Sequence, residues 1–140
     1  MTFKNKNKLM KDLELKLVKN PAKNAERVME SATRLVMNEA KQLVSKKGRG
    51  RIYPRKTVDH QASAPNDPPA TDTGELKNNI TMDVKKRGKV LIGQIISGAE
   101  YSVHLEFGTR KMEKRPFLSP AFKNKQKAVI KKFKNAGMTK

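Results

Sequence analysis

Ile80-Thr81-Met82-Asp83-Val84, then Lys86-Arg87-Gly88-Lys89, then Val90-Leu91-Ile92-Gly93-Gln94-Ile95-Ile96: this stretch decides the fold class. Apolar and polar residues alternate through the first segment, the period of a half-buried strand. The second segment is a turn, with a glycine among charged residues. The third is rich in β-branched residues and follows at hairpin distance, so the whole reads as a β-hairpin. Its second strand is apolar on both faces, which predicts cover on both sides.

Outward from the hairpin the period changes to that of helices. Just upstream, Asp72 followed by Glu75 resembles a capping box, with Asp in the Ser/Thr role. It predicts a short helix from Thr73 to about Asn79, with Leu76 and Ile80 turned inward. A longer helix is predicted from about Ala22 to Val44. Ala25, Val28, Met29, Ala32, Leu35, Val36, Ala40 and Leu43 form its apolar stripe. At 1.5 Å per residue it would run roughly 35 Å. Before it, Asn20-Pro21 reads as a cap and a first-turn proline. Residues 4–19, with Leu9, Leu13 and Leu17 at helical spacing, read as a further short amphipathic helix. Downstream, Ala99–Phe107 reads as a short helix stopped by Gly108. Thr109 to Arg115 is a basic loop. Ser119-Pro120 is an N-cap and proline pair opening a last helix to about Lys134. The stripe of that helix is Phe122, Val129, Ile130 and Phe133, with Lys123, Lys125, Lys127, Lys131, Lys132 and Lys134 on the other face.

The expected class is therefore α+β: long N-terminal helices, a small antiparallel sheet built on a β-hairpin, a short helix and a basic C-terminal helix. At 140 residues a single domain is expected. It divides into an N-terminal helical region (1–45), a basic and Pro-rich extended loop (46–72) and an α+β core with the C-terminal helix (73–140). In the loop, Pro54, Pro65, Pro68 and Pro69 fix φ and bias their predecessors away from helix.

Charge is the second guide. Lys and Arg number 32 against 13 Asp and Glu, a formal +19, while only 36% of residues are hydrophobic. Self-repulsion at that charge favours a polyanion, an acidic protein face or an anionic membrane as neighbour. Membrane insertion is not expected, because no apolar run approaches the ~20 residues a span needs. The basic start lacks the apolar segment of a secretory signal. Cysteine is absent, which excludes a disulfide framework and thiolate chemistry. Lys46, Lys47, Arg49 and Arg51 form a basic loop of the kind that tracks a phosphate backbone. Aromatic residues are only 5% of the chain, so stacking platforms for bases are scarce. No helix-turn-helix or zinc-finger spacing is present. Non-specific, salt-sensitive attraction to nucleic acid follows, rather than sequence reading.

No catalytic constellation emerges. His60 and His104 lack H-E-x-x-H spacing, and Gly88-x-x-x-x-Gly93 has Gln94 where a phosphate loop needs lysine. Asp67, Asp72, Glu75, Glu100 and Glu106 could be imagined as a carboxylate pair, but capping already accounts for Asp72 and Glu75. An enzyme, a cofactor and a metal site are not expected. A small nuclease or toxin is disfavoured for want of a site.

Two segments carry a resemblance. Ala64-Pro65-Asn66-Asp67-Pro68-Pro69-Ala70-Thr71-Asp72-Thr73-Gly74-Glu75-Leu76 resembles the P-G-x-P-P-x-x-x-T-G-x-L pattern of the minor tail-component family of long-tailed bacteriophages, the head–tail joining or tail-completion proteins. Asn66 replaces the usual Gly and also tolerates positive φ. Tyr101-Ser102-Val103-His104-Leu105-Glu106-Phe107-Gly108-Thr109, followed by Arg115-Pro116-Phe117-Leu118-Ser119-Pro120-Ala121, is similar to that family's Y-A-x-x-x-E-F-G-T and R-P-F-L-x-P-A. The resemblance spans roughly residues 50–135. It implies a structural virion protein of the neck or tail, made in the host cytoplasm and assembled as a homo-oligomeric ring of six or twelve copies. Its implied partners are head-closure or connector proteins and tail-tube or tail-terminator proteins, with non-specific contact to genomic DNA in the lumen. Read from the residues alone, the two segments are core and turn chemistry. Glu106, an acid beside Phe107 in a very basic chain, is expected to pair with Arg110 or Arg115, within or between subunits. The competing reading is a free-standing, non-specific nucleic-acid-binding protein.

Overall fold

The structure is a computed structural model that describes residues 15–17, 25–57, 59–70 and 74–137. Its elements in chain order are β1 (Leu15–Leu17), α1 (Ala25–Leu43), β2 (Ile52–Tyr53), β3 (His60–Gln61), α2 (Glu75–Asn78), β4 (Ile80–Arg87), β5 (Val90–Ser97), α3 (Ser102–Phe107) and α4 (Leu118–Asn135). The class is α+β, as the hairpin predicted.

β4 and β5 pair antiparallel from Ile80↔Ser97 to Arg87↔Val90. Gly88 and Lys89 alone make the turn, and Gly88 takes φ +58°, the left-handed geometry that two-residue hairpins favour. β5 is the central strand, because Leu15–Leu17 adds on its free edge in antiparallel register, Lys16 opposite Ile92. The predicted helix over 4–19 is thereby corrected at these three residues. A neighbouring strand edge with open hydrogen bonds overrides a leucine spacing that also fits strand pairing. The rest of that expected helix, and the Asn20-Pro21 cap, lie outside the described residues.

α1 lies between the sheet and α4. Its predicted stripe is buried throughout or half-buried: Met29, Ala32 and Ala40 are wholly enclosed, and Val28 and Leu35 pack at the edge of the core. Ile80, Leu91 and Ile95 close the core from the sheet, Phe117 from just ahead of α4, and Leu118, Ala121, Val129 and Phe133 from α4. Each large apolar side chain so buried contributes about 1.5–3 kcal/mol. The helix meets the sheet most closely at Gly93. A Cβ there would stand 2.1 Å from Thr33 Oγ1 and 3.0 Å from Met29 Sδ. On the alternate face of β5 Ile92 is buried while Val90, Gln94 and Ile96 are half-buried, so the cover expected on both sides of this strand is only partial on the second.

The last helix differs from expectation at its start. α4 opens at Leu118 with Phe117 as N-cap, so Ser119 and Pro120 lie inside the first turn. Proline is tolerated there because first-turn N–H groups have no partner within the helix. Ile130, assigned to the stripe, is instead exposed. It sits on the lysine face, one position away from buried Val129.

Candidate functional site

The residues of the two resembling segments converge at one end of the molecule, around the start of α4. α3 delivers Glu106 there. Gly108, at φ +76° and ψ 176°, ends the helix in a conformation that side chains resist. A Cβ at that glycine would also meet Lys114 N at 2.9 Å and Met112 O at 3.0 Å. The chain then loops back. Thr109 N donates to Met112 O at 2.8 Å, and Arg115 N donates to Leu105 O. This return sets the first residues of α4 over the Glu106 carboxylate.

Glu106 is buried and satisfied four times. Its Oε2 accepts from Phe117 N at 2.8 Å and Leu118 N at 3.0 Å, and its Oε1 from Ser119 N at 2.9 Å and Ser119 Oγ at 2.6 Å. These amides are the orphan donors of the helix N-terminus, and the helix dipole favours negative charge at that end. Glu106 thus supplies the capping carboxylate for a helix beginning 12 residues later. The expected ion pair with Arg110 or Arg115 is corrected, since the carboxylate spends its lone pairs on the helix end. Arg115 is held by its backbone, and its buried Nε has no hydrogen-bond partner. Ser119, predicted as the cap, instead donates its hydroxyl to the carboxylate. Ser102, one turn before Glu106, is likewise buried and donates to Ala99 O at 2.6 Å.

The Pro-rich segment joins the same end. Asn66 N donates to Lys114 O at 2.9 Å, tying the Pro-rich segment to the loop just before Arg115. Asn66 has φ +67°, the only positive φ at a non-glycine residue among those described, as its standing in a glycine's place implied. Pro69 is buried, Pro68 half-buried and Pro65 exposed. Gly74 takes φ +80° ahead of α2. Thr73 and the Asp72 capping box lie outside the described residues. A cleft of ≈ 370 Å³ opens between the segments, lined among others by Pro69, Leu76, Tyr101, Leu105 and Arg115. Leu76 packs against the core there. The Tyr101 hydroxyl in this cleft has its pKa raised above 10, first by burial and then by the charge of Glu75. Thr109 Oγ1 accepts from Lys111 N, and Pro116 and Pro120 are half-buried.

The basic loop is more ordered than a free phosphate-tracking arm. Gly50 N donates to Ala62 O at 2.8 Å and Ala62 N to Arg51 O at 3.0 Å. These bonds extend into the β2–β3 ribbon, which the sequence did not announce because each strand has only two residues. Arg49 grips Asp67 with two bonds, Nε to Oδ2 at 3.1 Å and Nη2 to Oδ1 at 2.9 Å, a fork geometry suited to carboxylate. Arg51 lies over the Tyr53 ring at 5.4 Å. Lys46, Lys47, Arg49 and Arg51 are all exposed. On α4, Lys125 pairs with Glu39 at 3.6 Å and Lys132 donates to Ser31 Oγ at 2.9 Å, while Lys123, Lys127, Lys131 and Lys134 are exposed. Among the described residues no cluster of three or more His, Cys, Asp or Glu could hold a metal ion, and no helix is long and apolar enough to cross a membrane.

One family model matches the chain, over residues 7–108, well over half its length; its description is "Bacteriophage HK97-gp10, putative tail-component". The match takes in the Pro-rich segment and α3 as far as Gly108, and stops before Arg115–Ala121. The chain belongs to this HK97-gp10-like family of phage tail components, and so to the virion. No curated protein and no solved structure matches it.

Proposed function

We propose that this tail component completes the tail at its head-proximal end and joins it to the head, as one copy in a ring through which the genome passes. The observation that carries the reading is the exposed, acid-free 46–56 segment, with Lys46, Lys47, Arg49, Arg51, Arg55 and Lys56, braced within its loop by the Gly50–Ala62 and Arg49–Asp67 bonds, the loop in turn bonded to Lys114 O through Asn66 N. Fixed cations along a lumen lower the cost of confining phosphates without selecting a sequence. Head-closure and tail-tube proteins are the neighbours this role requires. A role in structure rather than catalysis agrees with a Glu106 whose acceptor capacity is used on a helix end.

The test is a phage with this chain deleted. Filled heads and tails left incomplete at the head-proximal end should accumulate unjoined, and purified protein should restore joining. Normal particles without the chain would overturn the reading. The alternative, a free nucleic-acid binder, predicts that the isolated chain holds duplex DNA near micromolar strength at physiological salt with a steep salt slope.

A further inference from the structure

α3 is inverted for a surface helix. It buries Ser102 and Glu106 and turns Tyr101 and Phe107 outward, 40% and 39% exposed. The inversion has a cause: Glu106 is consumed in capping α4 and Ser102 in a bond to Ala99 O, so Tyr101 and Phe107 are left facing solvent with His104. This knob also lies within a stretch free of cationic side chains. From Val90 to Thr109 there is no Lys or Arg, and Glu100 is its exposed charge. In a chain of net charge +19 such a window is complementary to the chain's own basic surfaces.

A matching surface lies at the far end of the two-helix layer. α1 and α4 run antiparallel, since Asn124 bonds Glu39 and Lys132 bonds Ser31. The end of α4 is therefore about 25 Å from the Glu106 clamp at 1.5 Å per residue. There a cleft of ≈ 530 Å³ opens between the two helices, lined by Arg27, Val28, Ser31, Lys132, Asn135 and Ala136. It is open to solvent and offers two cations, Arg27 and Lys132, beside half-buried Val28 and exposed Ala136. Glu26 and Glu30 are also exposed near it, against Arg27, Lys131, Lys132 and Lys134.

We propose that copies of this chain join head to tail, the Glu100–Tyr101–Phe107 knob of one seating in the α1–α4 cleft of the next, with Glu100 facing Arg27 and Lys132. Surfaces at opposite ends of one molecule make a heterologous contact, which closes into a ring when the rotation permits. The proposal deepens the ring reading and rests on it for its setting.

Because the chain has no cysteine, a single engineered pair reports the contact. Full-length protein carrying both Phe107→Cys and Asn135→Cys should give a ladder of covalent multimers on mild oxidation. A mixture of the two single variants should stop at the covalent dimer. Glu100→Lys in the paired background should lower the ladder yield about threefold or more, and Arg27→Glu in the same chain should restore it. No ladder beyond that of Phe107→Cys alone would overturn the contact. So would a dimer formed equally by Phe107→Cys alone, which indicates a two-fold interface. Particles carrying the cysteine pair separate the two readings. Joined particles with the pair unbridged sink the contact and leave the neck role, whereas a ladder from a chain absent from particles sinks only the neck role.

Discussion

Replacing Glu106 with Gln keeps the size of the side chain and removes the charge and one acceptor. With the amide oxygen placed at the Oε2 position it still receives Phe117 N and Leu118 N. The NH₂ then faces the Ser119 N–H, which is left buried without a partner. A buried donor so stranded costs about 1–3 kcal/mol. Loss of charge at a buried helix N-terminus adds up to ~2 kcal/mol. About 3 kcal/mol is the central expectation, of a total stability on the order of 5–15 kcal/mol. At roughly 3–4 °C per kcal/mol for a chain of this length, Tm should fall by about 10 °C. Glu106→Ala strands all three amides over a cavity and should cost more, about 4–5 kcal/mol. Arg110→Ala separates capping from ion pairing. If the carboxylate served an arginine, that variant would melt with Glu106→Gln; here it should melt with the parent, being an exposed loop residue. Thermal melts by circular dichroism of the four proteins decide it. A Glu106→Gln melt within about 2 °C of the parent, or an Arg110→Ala melt matching Glu106→Gln, would refute the capping argument.

Gly93→Ala should cost about 1–3 kcal/mol by overpacking against Thr33 and Met29, read from denaturant midpoints, with Thr33→Ala in the same chain recovering part of the loss. Asn66→Ala should lose about 1 kcal/mol because a β-carbon without a polar partner resists positive φ, whereas Asn66→Gly should stay within ~0.5 kcal/mol of the parent. Ultraviolet titration should find a tyrosine ionising above 10, and Glu75→Gln should bring it only part of the way back, since burial is the larger cause. The sign follows: folding favours the neutral Tyr101 phenol, so its contribution is whole below pH 10 and is lost as pH rises through the raised value.

The fold was legible where a pattern lies within one element. The alternation from Ile80 to Val84, the turn at Gly88 and the stripe from Ala25 to Leu43 each state their structure locally, and all three are present. What was not legible depends on partners far away in the chain. Leu9, Leu13 and Leu17 fit a helix by spacing, yet Leu15–Leu17 pairs with Leu91–Gly93, and nothing near residue 16 reveals that open edge. Ser119-Pro120 looks like a cap because capping rules consult neighbours within four residues. The actual cap comes from Glu106, 11–13 residues upstream. A local clue existed: Phe117, the residue before α4, has no side-chain oxygen, so the helix had to find its acceptor elsewhere. The β2–β3 ribbon left no such clue.

The same clamp explains why the two halves of the second resembling segment, Tyr101–Thr109 and Arg115–Ala121, occur together. E-F-G-T supplies a carboxylate, then a glycine that reverses the chain. R-P-F-L-x-P-A supplies the amides that receive it, with Phe117 buried beneath them. Neither half is a cap alone, and a search for catalytic acids would pick out Glu106 for its burial while missing that its oxygens are occupied. Committing that acid to the interior has an outward consequence. With Glu106 and Ser102 turned in and Leu105 packed against the core, the remaining positions of the six-residue helix are Val103, His104 and Phe107, with Tyr101 just ahead of them. An aromatic surface on a chain of +19 is thus the geometric counterpart of the internal cap. Substitutions at Tyr101 or Phe107 should therefore disturb assembly while leaving the melt nearly unchanged, and substitutions at Glu106 should do the reverse first, lowering the melt before any loss of assembly is seen.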